Sequence, residues 1–344
     1  MNKICYLTGE KITESNKSLE HIIPNALYGH LTSSYILTKD SNNLLGADID
    51  KDFETIFHNF TSRLSFKRDR GRNPNFQITC IYTREQYFVS GGKIAPLKPF
   101  YDKNTNTVYA RDNRKAKQIL KKELGDETGS PSIKNDKDGL YEWKFNIENR
   151  EFKRGMAKIS AGFAALHGVE RSDLIEILDL NDKKIKENPA VIPFIPLTFD
   201  ELAIEENIDK LDIYPFHAIE LYGNPEHRLL YCYIDLFSTF QYLIVLNGNY
   251  QGEYIHKSYF YSMNKEQVFS FDEYKQSVKE KTEIDIQRDI LRKIDSMYLS
   301  NLERTFLEQY HLFQDYGHKK YYALDKYTTI KMHSDKGVSF PYYR

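Results

Sequence analysis

Apolar positions along this chain recur with two periods, and the switch between them marks the elements. Near the N-terminus a Cys-containing turn (Cys5 to Gly9) and a polar stretch lead into Leu19-Glu20-His21-Ile22-Ile23-Pro24. This reads as a short strand in which apolar residues flank a charged pair and Pro24 ends the pairing. A loop with Gly29, an apolar run Tyr35-Ile36-Leu37 and a polar turn from Lys39 to Asn43 follow. From Leu44 the period lengthens: Leu45, Ile49, Phe53, Ile56, Phe57 and Phe60 recur at three- and four-residue steps, which predicts a helix. The order is strand, loop, strand, turn, helix.

Beyond residue 66, KRDRGRNPN has no core pattern and reads as a linker or loop. Short alternating runs between Phe76 and Tyr109 predict strands, and Lys115 to Leu124 a basic amphipathic helix. Asp126 to Asp138 is polar with Gly, Ser and Pro and reads as a loop. Phe152 to Leu166 predicts a helix whose small residues (Gly155, Ala157, Ala161, Gly162) permit close packing. A shorter helix is expected at Asp173 to Leu180 and an extended connector at Pro189 to Pro196. Tyr214 to Met263 reads as a meander of aromatic strands, with turn signals at Gly223-Asn224-Pro225 and Asn247-Gly248-Asn249. A long amphipathic helix is expected from Ile284 to Phe306. The fold class is α+β, divided as an N-terminal domain of residues 1–75 and a mixed α/β region of residues 76–344, with a sub-boundary near 190–210.

Length and charge narrow the function. A chain of 344 residues is long for one core, and its 26 Tyr and 21 Phe make that core aromatic. Lys+Arg (48) and Asp+Glu (49) nearly cancel, so nucleic acid must be met by a local basic patch and not by overall charge. Three scattered cysteines make no disulfide framework and no Cys-x-x-Cys pair. The most apolar run, Leu229 to Leu246, contains Asp235 and Gln241 and reads as two buried strands, not a membrane span. A soluble, cytoplasmic protein with no membrane partner is the expectation.

The chemistry concentrates in the first fifty residues. Phosphodiester hydrolysis needs a base to deprotonate water and a cation to neutralise charge on the phosphoryl oxygens. Glu20-His21 followed by Asn42 at the turn that opens a helix supplies a base, an acid and an amide oxygen. Mg²⁺ keeps several waters, so one or two protein oxygens suffice. SLEHIIPNALYGHL and ILTKDSNNLLGADID resemble the HNH (ββα-metal) endonucleases of bacteria, over roughly residues 1 to 75. That resemblance implies a ββα-metal module with His21 as general base and Glu20 and Asn42 as ligands to Mg²⁺ or Mn²⁺. Asn43 is the register alternative to Asn42, and Asp50 a supporting ligand or orienter. The family's four zinc cysteines fall here on Cys5, Thr8, Thr38 and Ser41, so no structural zinc is expected. Ser34 or Tyr35 stands near the place of the motif's middle Asn, which leaves the orientation of His21 open.

Lys67, Arg68, Arg70 and Arg72 place four cations within six residues just after this segment, either as phosphate contacts to DNA or as a solvated loop. The expected partner is DNA, with the larger region supplying selectivity, dimerisation or control. A homodimer and a protein partner of a defence system are both compatible with this. Restriction or phage defence is the setting that the resemblance implies. The alternative is a decayed HNH fold that only binds DNA or protein. The remaining histidines, including His167, His217, His227 and His256, show no metal-ligand spacing.

Overall fold

The computed structural model describes residues 3–64, 68–69, 75–80, 82–90, 93–110, 112–125, 132–134, 141–142, 149–194, 199–286, 320–321 and 323–328. The chain is α+β, with helices and mostly antiparallel sheets. Its contacts divide it into two compact units that interleave along the sequence. One comprises Met1–Pro24, Gly29–Phe53 and Glu148–Lys326, the other Asn25–Tyr28, Glu54–Ile147 and Tyr327–Arg344. The contacts therefore group the chain otherwise than at residue 75.

The first unit is built on a six-stranded antiparallel sheet in the order Val191–Pro193, Phe240–Asn247, Leu229–Leu236, Phe216–Asn224, Ile255–Ser262, Gln267–Phe269. Its three middle strands are buried along their whole length, which accounts for their near-continuous apolar sequence. The meander read from the sequence is thus present, and the extended connector supplies its edge strand. Pro193 is tolerated there because an edge strand has one unpaired side. Arg150–Leu166 forms a helix capped by Asn149, whose side chain accepts from the Phe152 amide, and it packs across the sheet. A Cβ at Gly155 would stand 2.0 Å from the Phe53 ring, so glycine is what lets that ring sit against the helix.

Two expectations are corrected within this unit. The Asp173–Leu180 segment is not a helix: Arg171–Asp173 is a 3-10 turn, and Leu178–Asp179 pairs with Lys184–Ile185. The Asp179 carboxylate accepts from the Asn181 and Asp182 amides, and this local turn defeats helix formation. Near the N-terminus the paired strands are Glu20–His21 and Thr32–Ser33, so the second lies just before the apolar Tyr35-Ile36-Leu37 run. The helix starts at Lys39, ahead of Leu44, because the Thr38 side chain caps it by accepting from the Ser41 amide. It runs to Leu45, continues as a π turn over Gly46–Asp50 and resumes at Lys51–Ile56.

In the second unit Lys93–Pro96, Gln86–Ser90, Phe76–Cys80 and Tyr141–Glu142 form a four-stranded antiparallel sheet. Phe100–Asp102 and Thr107–Tyr109 pair antiparallel, and Ser132–Lys134 joins them in parallel, a strand inside the polar stretch read as loop. Helices His58–Leu64 and Asn113–Leu124 complete it. The expected helix from Ile284 to Phe306 lies almost entirely outside the described residues.

Candidate functional site

The Cys5–Gly9 turn closes through the Gly9 amide, which donates to the Cys5 carbonyl at 2.8 Å, with Gly9 at a φ of +76° that favours glycine. The Arg171 guanidinium clasps it, donating to the Tyr6 and Leu7 carbonyls at 3.1–3.2 Å. This turn meets the start of the Lys39–Leu45 helix. The Cys5 thiol donates to Ser41 Oγ at 3.2 Å, and Thr38 Oγ1 donates to the same oxygen at 2.9 Å. Burial pushes the Cys5 thiol up, but its hydrogen bonding with Ser41, with Thr8 and with the Thr38 backbone outweighs this and leaves it below its ordinary value. Positions 5, 8, 38 and 41 therefore converge around one thiol.

One residue beyond Ser41, Asn42 Nδ2 donates to Ser18 Oγ at 2.8 Å, and its side chain is also hydrogen-bonded to Glu20. Glu20 is 7% exposed and pairs across the short ladder with Ser33. His21, next along the strand, takes the opposite face by strand alternation and is half-buried. Asp50, at the end of the π turn, reaches the same place as Glu20 from the other side.

What joins the two carboxylates is a cation that the motif does not contain. Lys158, on the Arg150–Leu166 helix, lies 2.7 Å from Glu20 Oε1 and 2.6 Å from each Asp50 oxygen. One turn earlier Arg154 pairs with Asp48. Burial pushes Glu20 up and the Asp50 charge adds to this, while Lys158 and Asn42 partly offset it, so its pKa is raised. Burial alone would lower Lys158; Asp50 and Glu20 overcome it, and the ammonium stays charged. The Tyr6 hydroxyl, buried and without a hydrogen-bond partner among the described residues, is driven well above its ordinary range by burial and then by Glu20 and Asp50. Breaking a buried pair of this kind costs about 3–5 kcal/mol, because one charge is left uncompensated.

Three predicted residues, Glu20, Asn42 and Asp50, are thus brought together, while His21 takes the other face of the strand. Two carboxylates thus share one ammonium. Glu20 and Asn42 do not present two oxygens to one divalent ion as they stand, because Glu20 Oε1 faces the Lys158 ammonium and Asn42 turns its Nδ2 to Ser18. Both Asp50 oxygens likewise face Lys158. Among the described residues no three of His, Cys, Asp or Glu are grouped to hold a metal.

The basic stretch fares differently. Lys67, Arg70 and Arg72 lie outside the described residues. Arg68 is turned inward: its side chain is 14% exposed and sits 3.8 Å from Glu54. Burial and then the Arg68 charge lower His58 to about 4. Lys158 and Arg154 were missed by reading the motif alone. Their signal is two cations four residues apart that continue into the apolar, small-residue part of the helix, beyond the polar Arg150, Glu151 and Lys153. No helix of the described residues is long and apolar enough to cross a membrane. Compared with known proteins, the chain matches no family model, no curated protein and no solved structure.

Proposed function

We propose that the chain is a metal-dependent endonuclease of the HNH type that hydrolyses DNA phosphodiester bonds. The observation that carries this reading is the hydrogen bond between Glu20 and Asn42, which brings a strand acid and a helix amide together, with His21 the next residue of the same strand. The resemblance assigns Mg²⁺ or Mn²⁺ to Glu20 and Asn42; to hold it Glu20 would have to give up Lys158 and the Asn42 amide turn over, and the ion would supply Lewis-acid stabilisation of the phosphoryl charge. His21 would be the base that takes the proton from the attacking water. Asp50 keeps Lys158 in place. The convergence of positions 5, 8, 38 and 41 supports the same reading, because it holds the helix start against the N-terminal turn. Restriction or phage defence is the biological setting we propose.

The test is nicking of supercoiled plasmid with Mg²⁺, Mn²⁺ or EDTA. Cleavage should require the metal and fall at least about a hundredfold in His21→Ala, the scale of a lost general base, with the thermal unfolding midpoint unchanged. A variant that cuts as fast as the parent refutes the assignment of His21. One observation favours a second reading: the Lys158 ammonium already fills the space between Glu20 and Asp50. On that reading the fold binds DNA or protein without cutting, and a salt-sensitive band shift without cleavage would identify it.

A further inference from the structure

The segment that leads into His21 has an outward side. Ser18 Oγ accepts from Asn42 Nδ2 and Glu20 is buried, so alternation turns Lys17, Leu19 and His21 the other way. Leu19 is 61% exposed, in keeping with this. Beside Lys17 stands Tyr35, 40% exposed, three residues past the Thr32 that pairs with His21. Two ammoniums lie over its ring, Lys3 Nζ at 4.1 Å from the centroid and Lys17 Nζ at 5.9 Å, both within cation–π range. Both lysine side chains reach solvent. The carboxylate they share is Glu14, 2.5 Å from Lys17 Nζ. Its hydrogen bond with Lys17, and then the charges of Lys17 and Lys3, hold it below its ordinary value.

Building on the reading of His21 as the base, we propose that Lys3, Lys17 and Tyr35 form the surface on which the phosphodiester backbone of DNA is held beside His21. Two ammoniums already placed over one ring lose less freedom on meeting phosphates than two untethered lysine side chains would. Lys17 precedes His21 by four residues, about 13 Å of extended chain, so a backbone resting on the ammonium continues past the imidazole. DNA presents a regular row of anions with apolar sugar rings between them. The ammoniums suit the first, and the exposed Leu19 and Tyr35 suit the second. Such contacts position DNA and read no base. Glu14 takes a phosphate's place while DNA is absent and must release Lys17 when it binds.

Fluorescence anisotropy of a labelled DNA duplex with the full-length protein, in EDTA and over a range of salt concentrations, tests this. Lys3→Gln/Lys17→Gln should lower the slope of log affinity against log salt by about 1–2, at about 0.9 per phosphate lost. Tyr35→Leu should weaken binding about two- to fivefold with the slope nearly kept, because the ammoniums remain but lose their seat. Glu14→Gln should tighten binding, since it removes the competing carboxylate. Thermal unfolding is the control. Lysines with only a structural part would lower the midpoint and leave the slope unmoved. An unchanged slope in Lys3→Gln/Lys17→Gln overturns the inference, as does a Glu14→Gln that binds no more tightly. A parent that binds no duplex overturns it too, and so does lysine-dependent binding of polyglutamate in place of DNA. Plasmid nicking by the parent separates this surface from the reading it rests on. A lowered slope without nicking leaves the surface standing and removes the hydrolase; nicking with the slope unmoved does the reverse.

Discussion

Gly155 is where a single missing methyl group decides how the N-terminal segment seats. The Phe53 ring is 1% exposed, lies over this glycine and meets the Phe152 ring at a centroid distance of 6.0 Å. Two effects compete in Gly155→Ala. Helix propensity favours alanine by up to about 1 kcal/mol. Overpacking costs about 1–3 kcal/mol, and here the new Cβ would meet three ring atoms at 2.0, 2.2 and 2.6 Å. The steric effect should win, because Phe53 has Phe152 beside it and cannot simply swing aside. Urea unfolding should show a net loss of about 1 kcal/mol or more. A variant as stable as the parent would mean that the ring moves freely and that close packing is not what requires glycine.

At the scale of elements, the Asn113–Leu124 helix offers a face on which the proposed contact with DNA can be tested. Its apolar side, Ala116 with Ile119 and Leu120, packs on Val108, Ala110 and Tyr101. Arg114, Lys117, Gln118 and Lys121 line an open recess on the exposed side, at spacings of three, four and seven. A rise of 1.5 Å per residue spreads these three cations over roughly 10 Å, the reach of about three phosphates of one strand. Arg114→Gln/Lys117→Gln/Lys121→Gln should therefore lower the slope of log affinity against log salt by about 2–3. An unchanged slope would exclude this face.

The same scale shows what the sequence could reveal. The aromatic strands and the Arg150–Leu166 helix were readable because burial imposes continuous apolar runs and small residues. The start of the Lys39–Leu45 helix was not, because KDSNN looks like a turn until Thr38 is seen to cap it. The Leu178–Asp179 strand was hidden by an apolar run that an Asp-centred turn redirects. In the site, Glu20 and Asn42 were legible from a local motif. Lys158 was not, because what defines it is a contact made across 108 positions.

For the molecule as a whole, stability should depend on pH through a second buried cluster. Asp235 lies on the Leu229–Leu236 strand, where Gln241 Nε2 donates to its Oδ2 at 3.1 Å and its Oδ1 has no partner among the described residues. Gln241 also donates to Glu205, which accepts from Lys320 at 2.7 Å. Burial pushes Asp235 up to about 7 from an ordinary 3.8; Lys320 opposes this and Glu205 reinforces it. Between those values the folded protein holds a proton that the unfolded chain releases, so this group's contribution to stability falls as pH rises from about 4 to about 7. The ceiling is about 4 kcal/mol, from 1.36 kcal/mol per pKa unit. His58 acts with the opposite sign: held to about 4 against an ordinary 6.5, it adds stability as pH rises through the same window. The raw profile therefore mixes two slopes, and the informative quantity is the difference between Asp235→Asn and the parent. An amide cannot ionise, so that difference should grow in favour of the variant from pH 4 to 7 and then level off. Chemical denaturation at five or six pH values measures it. A difference independent of pH would mean that Asp235 ionises in the fold as readily as in the open chain, and that the Glu205–Lys320–Gln241 network solvates its charge.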